Sequence, residues 1–168
     1  MVGKQDAIAL LKADHRKVEE LFEKYEKTKG EGAREKLAMQ ICMELSIHTV
    51  IEEEIFYPAC EGRIEEDMLK EAYVEHDAAK LLIAEIEAGD HDDDYYDAKV
   101  KVLQEQIEHH VEEEEKRVDG IFAQARKADL DLDALGDRMA ARKKELTVDY
   151  KAGGVPMPET TTLSEVTI

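Results

Sequence analysis

The stretch ELSIHTVIEEEIFYPA, which spans Glu44–Ala59, decides the fold class of this chain. Its apolar side chains return at steps of three or four positions, which places them on one face of an α-helix. His48 and Glu52 occupy the same face, where hydrophobic residues are expected. Because residues four apart project from one side of a helix, the stretch predicts a core-facing helix that points an imidazole and a carboxylate inward together.

The same periodicity runs through most of the chain, which is rich in the helix formers Ala, Glu, Leu and Lys. The alternating pattern of β-strands is absent. We predict helices over residues 5–28, 33–57 and 64–88, a fourth from the acidic loop at 90–94 to beyond Val118, and a shorter fifth over 132–146. Pro58 is expected to end the second helix. Four long helices with short connections predict an all-α fold, an antiparallel up-down four-helix bundle.

Three regions are expected along the chain. Residues 1–128 would form the bundle, and residues 129–150 an additional C-terminal helix packed on or beside it. The end of the sequence, GGVPMPETTTLSEVTI from Gly153, is dominated by Gly, Pro and Thr. We therefore expect residues 151–168 to form a flexible tail, which could also serve as an address for a larger assembly.

Composition narrows the classes of partner. The 168 residues include 41 Asp and Glu against 23 Lys and Arg, a formal net charge of −18. This balance argues against nucleic acid, which needs a basic surface, and against an anionic membrane. No apolar run approaches the length of a membrane span, and the N-terminus lacks a signal-peptide core. Two cysteines are too few for a disulfide scaffold, so the expected location is the cytoplasm. The oligomeric state is left open.

Four histidines interrupt the four apolar stripes, and two of them carry a glutamate four residues later. The pattern repeats, because 62 residues separate His48 from His110 and Glu52 from Glu114, while 61 separate His15 from His76. An approximate twofold arrangement would bring all six to one point in the core: His15, His48, Glu52, His76, His110 and Glu114.

Burying such groups without partners is costly, and a metal ion would remove the cost. Four imidazoles and two carboxylates suit iron, manganese or zinc, and two equivalent halves suit two ions. We expect two non-haem iron ions, each with two histidines, both carboxylates bridging and an oxo or hydroxo bridge from solvent. The alternative is a metal-free structural bundle with ordinary core histidines.

Four segments resemble the hemerythrin-like, or HHE cation-binding, family: LLKADHRKVEELF, ELSIHTVIEEEIFYPA, EAYVEHDAAKLL and IEHHVEEEEKRV. The similarity covers about residues 7–125, and ARKADLDLDALGDRMAARKKEL resembles the helix that follows this domain in many bacterial members. The resemblance implies a four-helix bundle with a di-iron site for O2 or related small molecules. It also places the six residues named above on the family's ligand positions.

The sequence departs from the O2-carrying hemerythrins. Lys80 stands where they have a second histidine, and Glu114 follows its histidine by four residues rather than five. These departures argue for a more open or differently ligated site than a reversible O2 carrier has. Tyr57 is a possible extra ligand, although it points about 180° from His48 on an ideal helix, so a distortion before Pro58 would be required.

Other polar residues are given ordinary roles. His109 lies on a polar stripe and His91 in an acidic loop, so both are expected to be solvated. Tyr73 is expected to fill the core. The remaining acidic neighbours of the two HxxxE motifs are assigned to the solvent-exposed face of their helices: Glu53, Glu54, Glu112, Glu113 and Glu115.

The leading functional hypothesis is a cytoplasmic di-iron protein that binds a small diatomic or peroxide ligand. It would have oxidoreductase activity toward O2, hydrogen peroxide or NO. The alternative is an iron, oxygen or redox sensor, or an iron-binding module, without turnover.

Overall fold

The computed structural model describes residues 4–164, and this part of the chain is helical, with no strand. Seven α-helices and one π-helical turn, Glu52–Phe56, follow one another. The α-helices are α1 Ala7–Lys27, α2 Glu31–Ile51, α3 Tyr57–Cys60, α4 Glu66–Ala88, α5 Tyr96–Glu115, α6 Ile121–Lys127 and α7 Leu132–Gly153. Within residues 4–164, no helix has the length and apolar character that a membrane crossing would need.

Helices α1, α2, α4 and α5 form the bundle, which confirms the predicted fold class. Each is antiparallel to its neighbours. At the α1–α2 contact, Lys17 pairs with Glu44, and at the α4–α5 contact Lys99 pairs with Glu85. The ring closes between α5 and α1, where Arg16 binds Glu115 at 2.6 Å.

Local chemistry explains where the helices begin. The carboxylate of Asp6 accepts the Ala9 N–H at 2.8 Å and caps α1, and Asp131 caps α7 by accepting the Ala134 N–H at 3.0 Å.

The fourth bundle helix ends at Glu115, before the predicted limit at Val118, and a separate short helix, α6, follows it.

The core consists of two apolar clusters with a polar layer between them. On α1, Leu11 belongs to one cluster and Val18 to the other, with His15 between them. We call the six buried residues at this level the polar layer: His15, His48, Glu52, His76, His110 and Glu114. The apolar clusters on both sides shield this layer from bulk water.

Helix α7 packs against α1 and α2 and extends to Gly153, beyond the predicted end at 146. Gly136 permits the close approach, because a Cβ atom there would lie 2.5 Å from the Gln5 carbonyl oxygen and 2.8 Å from the Ala7 nitrogen. Arg142 adds an ion pair with Glu54 at 2.8 Å.

The residues after α7 turn back over the bundle. Gly154, with a φ of 82°, begins this C-terminal segment, residues 154–164. Backbone N–H groups of Thr161 and Leu163 donate to the Asp77 carboxylate on α4, each at 2.9 Å. The described part of the predicted tail therefore contacts the bundle, and the division of the chain into three regions stays a prediction.

Candidate metal centre

The structure brings all six predicted residues of the polar layer together. Glu52 and Glu114 are 0% exposed, and each of the four histidines is at most 6% exposed. His109, the rejected neighbour of His110, has a side chain that is 63% exposed. The apolar periodicity thus identified the inward-facing histidine correctly.

The layer divides into two groups that share Glu52. In the first, one ligand atom each from His15, His48, Glu52 and Glu114 lies within 4.8 Å of the others. In the second, the same holds for Glu52, His76 and His110. The ring centroids of His15 and His48 are 4.9 Å apart, and those of His76 and His110 are 4.8 Å apart, at nearly equal interplanar angles of 59° and 58°. The two histidine pairs are therefore close to equivalent.

Tyr57 completes the second group. Its hydroxyl group lies 3.0 Å from Glu114 Oε2, 3.2 Å from His76 Nε2 and 3.3 Å from His110 Nε2. The distortion that this placement requires is the π-helical turn, in which the Tyr57 N–H donates to the Glu52 carbonyl five residues earlier. Tyr57 thus lies on the side of the site that His76 and His110 form.

Pro58 gives a physical reason for the wider turn. In a regular helix its ring would clash with the carbonyl four residues earlier, and it has no N–H to donate. The expectation that Pro58 ends the helix at Tyr57 is wrong, because the chain continues helically to Cys60 with Pro58 in the first turn of α3. A proline is tolerated in that position.

Each imidazole in the layer contacts a carboxylate through Nδ1. The distances are 3.0 Å from His48 to Asp14, 3.2 Å from His76 to Glu53, 3.1 Å from His110 to Glu75 and 3.4 Å from His15 to Glu115. Such a contact fixes the ring so that Nε2 is directed to the centre, as in many metal sites. The expectation that Glu53 and Glu115 face solvent is therefore wrong, since their side chains are only 14% and 19% exposed.

The four carboxylates form a cycle around the bundle. Each carboxylate contacts the layer imidazole of the next helix. Asp14 on α1 contacts the imidazole of α2, Glu53 after α2 that of α4, Glu75 on α4 that of α5, and Glu115 on α5 that of α1. Each carboxylate is adjacent in sequence to a member of the polar layer. That adjacency is a signal in the sequence, but only the packing shows which imidazole each carboxylate contacts.

Cations outside the layer balance three of these carboxylates. Lys143 on α7 pairs with Asp14, Lys80 with Glu53 at 3.0 Å, and Arg16 with Glu115 at 2.6 Å. The additional helix therefore contributes directly to the surroundings of His48.

The buried carboxylates shift the pKa values of their neighbours. Burial lowers the pKa of His48, but Glu52 and Asp14 outweigh this effect and raise the pKa to about 10. The pKa of His110 is also raised, because Glu114 outweighs burial. Burial, together with the charges of Glu114 and Glu52, raises the pKa of the Tyr57 phenol well above its ordinary value.

Several atoms in the layer remain without hydrogen bonds. Among residues 4–164, no well-aligned hydrogen bond is found for His15 Nε2, His48 Nε2, either carboxylate oxygen of Glu52, or Glu114 Oε1; these atoms only approach one another, His48 Nε2 with Glu52 Oε1 and His15 Nε2 with Glu114 Oε1 at 3.4 Å. Buried polar atoms are normally satisfied. Orphaned imidazole nitrogens and carboxylate oxygens that converge in this way fit a bound cation, which would accept their lone pairs.

A small cavity of about 20 Å³ adjoins the polar layer. Its walls combine all four layer histidines with apolar side chains that include Val18, Leu45, Ile83 and Ile107. This volume suffices for one molecule of about the size of water.

A second group of possible ligands, Glu31, His91 and Asp92, lies near the acidic loop. Glu31 and Asp92 are exposed, and the imidazole of His91 pairs with neighbouring carboxylates, including Glu35 at 3.3 Å. This arrangement matches the solvated role expected for His91.

Comparison with known proteins agrees with the fold and with a cation-binding domain. The model of the hemerythrin HHE cation binding domain family matches residues 6–120. A crystal structure of a hemerythrin HHE cation binding domain-containing protein from Mycobacterium kansasii superposes with a TM-score of 0.74 at 23% identity, over 90% of this chain and 95% of that one. Comparison with curated proteins gave no match. The chain belongs to the hemerythrin HHE cation-binding family, as its four segments predicted.

Proposed function

We propose that this protein is a non-haem di-iron protein that binds small oxidants. The observation that carries the proposal is the convergence of orphaned imidazole and carboxylate atoms in two groups that share Glu52. A single ion would leave one of these groups unbound. Two ions would use both, with Glu52 as the bridge.

The roles of the residues follow from their groups. His15 and His48 would hold one ion, and His76 and His110 the other. Glu52 would bridge, and Glu114 faces both halves, because its carboxylate is 3.4 Å from His15 Nε2, 3.1 Å from His110 Nε2 and 3.0 Å from the Tyr57 hydroxyl. Tyr57 is an oxygen donor to the second half, and a cation there would favour its phenolate form.

The donors favour iron among the metals considered. They are imidazole, carboxylate and phenol, with no thiolate, since Cys42 and Cys60 are free and belong to neither group. A mixed nitrogen and oxygen set of this kind recurs in di-iron carboxylate bundles. Zinc and manganese are the alternatives, and they would serve as controls in metal analysis.

Bound iron would supply redox chemistry toward O2, hydrogen peroxide or NO. The chain's own residues limit what reaches the site. The cavity of about 20 Å³ has room for one very small molecule, between the four layer histidines and apolar side chains. We propose peroxide- or NO-directed oxidoreductase activity, with a sensor or iron-binding module without turnover as the second candidate.

The proposed setting is the cytoplasm, without nucleic-acid or membrane partners. Two free, buried cysteines suit a reducing compartment. The net charge of −18 opposes binding to phosphate-rich or anionic surfaces.

Metal analysis of protein purified from cells tests the proposal. We expect about two irons per chain, and well under one iron per chain would remove its basis. Anaerobic reconstitution with iron, followed by separate addition of O2, peroxide and NO, then identifies the reactive oxidant. Steady consumption of peroxide or NO would establish an enzyme, whereas a stoichiometric spectral change would indicate a sensor or store.

A further inference from the structure

We propose that the C-terminal segment, residues 154–164, helps to position a histidine of the candidate metal centre. In this view Thr161 is a positioning residue that holds Glu53 against His76. The inference rests on the proposed function and extends it, because it assigns a role at the site to residues outside both the bundle and α7.

The segment is anchored at one buried carboxylate. Asp77, which is fully buried on α4, accepts hydrogen bonds from the backbone N–H of Thr161 and Leu163 at 2.9 Å and from the Thr162 hydroxyl at 2.7 Å. The Thr162 N–H adds a fourth contact at 2.5 Å. Four donors on one carboxylate define the position of three consecutive residues.

Lys80 connects the Asp77 carboxylate to the surroundings of the candidate metal centre. Its ammonium group donates to Glu53 Oε1 at 3.1 Å, to Asp77 at 3.2 Å and to the Glu159 carbonyl at 3.0 Å. One buried cation therefore contacts α4, the π-helical turn and the C-terminal segment together.

The decisive contact is made by Glu53. Its Oε1 atom accepts the Thr161 hydroxyl at 2.8 Å, and its Oε2 atom lies 3.2 Å from His76 Nδ1. The two oxygens of one carboxylate are thus divided between the segment and an imidazole of the polar layer. A carboxylate held at both ends restricts the rotation of the ring that it contacts.

Among residues 4–164, Glu53 is the one carboxylate of the cycle that contacts the C-terminal segment. Asp14 is paired with Lys143 of α7, and Glu115 with Arg16 of α1. The segment should therefore affect the His76 and His110 half of the site far more than the other half. By thermodynamic reciprocity, iron in that half should also strengthen docking of the segment.

Adjacent threonines provide a matched pair of variants for the test. Thr161→Val removes the hydroxyl that binds Glu53, whereas the Thr160 hydroxyl donates within the segment, to the Leu163 carbonyl at 2.8 Å. In anaerobic iron titrations we expect Thr161→Val to weaken one of two iron sites by about five- to tenfold, less than the loss of a group that itself contacts a ligand histidine. Thr160→Val should leave both affinities within about threefold of wild type.

Two further readouts separate positioning from general stability. Nitrogen NMR of the His76 imidazole in metal-free protein should change in Thr161→Val and not in Thr160→Val. Hydrogen exchange of the Thr161, Thr162 and Leu163 amides should slow when iron binds to wild type. The inference would be overturned if both variants gave the same iron affinities and NMR signals, or if amide exchange were unchanged by iron. Either result would leave di-iron binding intact. If wild type binds no iron, the proposed function fails, and the NMR comparison still decides whether Thr161 positions His76.

Discussion

The backbone N–H of Tyr57 donates to the carbonyl of Glu52, five residues earlier, rather than to that of Glu53. This single wide turn places both side chains at the polar layer, where a regular helix would separate them by about 140°. It brings a phenol oxygen to the layer that a count of histidines and glutamates does not reveal.

Tyr57→Phe should therefore change the absorption spectrum of one iron, while the number of irons bound stays nearly the same. We expect about two irons per chain to remain and a visible absorption band from a ferric phenolate to disappear. Tyr73→Phe is the control, because Tyr73 packs edge-on against Tyr57, with the ring centroids 5.3 Å apart. A spectrum unchanged in Tyr57→Phe would show that the phenol does not bind metal.

His48→Gln should reduce iron binding to about one ion per chain or less, because the first group loses a nitrogen donor. The matched control is His109→Gln, on the exposed side of α5. Metal content is to be measured on monodisperse, folded protein, together with the rise in Tm that iron produces. Full iron content in His48→Gln would contradict the assignment.

Gly136→Ala should destabilise the fold by about 1–3 kcal/mol, because the new methyl group overlaps the start of α1. Helix propensity alone predicts the opposite sign, since alanine is favoured over glycine by up to about 1 kcal/mol. Gly153→Ala, at the open end of α7 with nothing within 4 Å, is the control and should be neutral or slightly stabilising. Urea denaturation of the metal-free variants measures both values, and a stabilised Gly136→Ala would refute the close packing of α7 on α1.

Iron affinity should rise with pH between about pH 6 and pH 8. Histidines whose pKa is raised, such as His48 and His110, keep their protons at neutral pH in the metal-free protein, and iron must displace them. Each displaced proton contributes up to about tenfold per pH unit. Competition titrations at several pH values, with proton release followed in weak buffer, measure the effect. A pH-independent affinity would exclude protonated histidines in the metal-free centre.

The same shift has the opposite consequence for metal-free stability. Because the pKa of His48 is raised from 6.5 to about 10 in the folded state, its stabilisation is complete below the unfolded value and is lost as the pH rises toward 10. The Tm of metal-free protein should thus fall under alkaline conditions, whereas iron-loaded protein should resist the fall. Parallel thermal melts of the two forms check this expectation.

Sequence periodicity predicted the helices and the inward positions of His15, His48, His76 and His110, because a 3.6-residue repeat fixes which side of a helix faces the core. The same rule placed Tyr57 on the wrong side, since a π-helical turn changes the repeat locally. The contact of Thr161 with Glu53 had no signal in the sequence. It joins residues 108 positions apart, and the tail composition suggested no structure there.

The carboxylate cycle sets the axial register of the bundle. Each bundle helix, or in the case of α2 the turn that follows it, supplies a member of the polar layer and, beside it in sequence, the carboxylate that contacts the next imidazole. Sliding one helix by a single turn would separate two imidazoles from their carboxylates, its own and its neighbour's. Apolar side chains tolerate such sliding far better than directional polar contacts do. The layer that accommodates the cation therefore also selects one alignment of the four helices, even before any metal arrives.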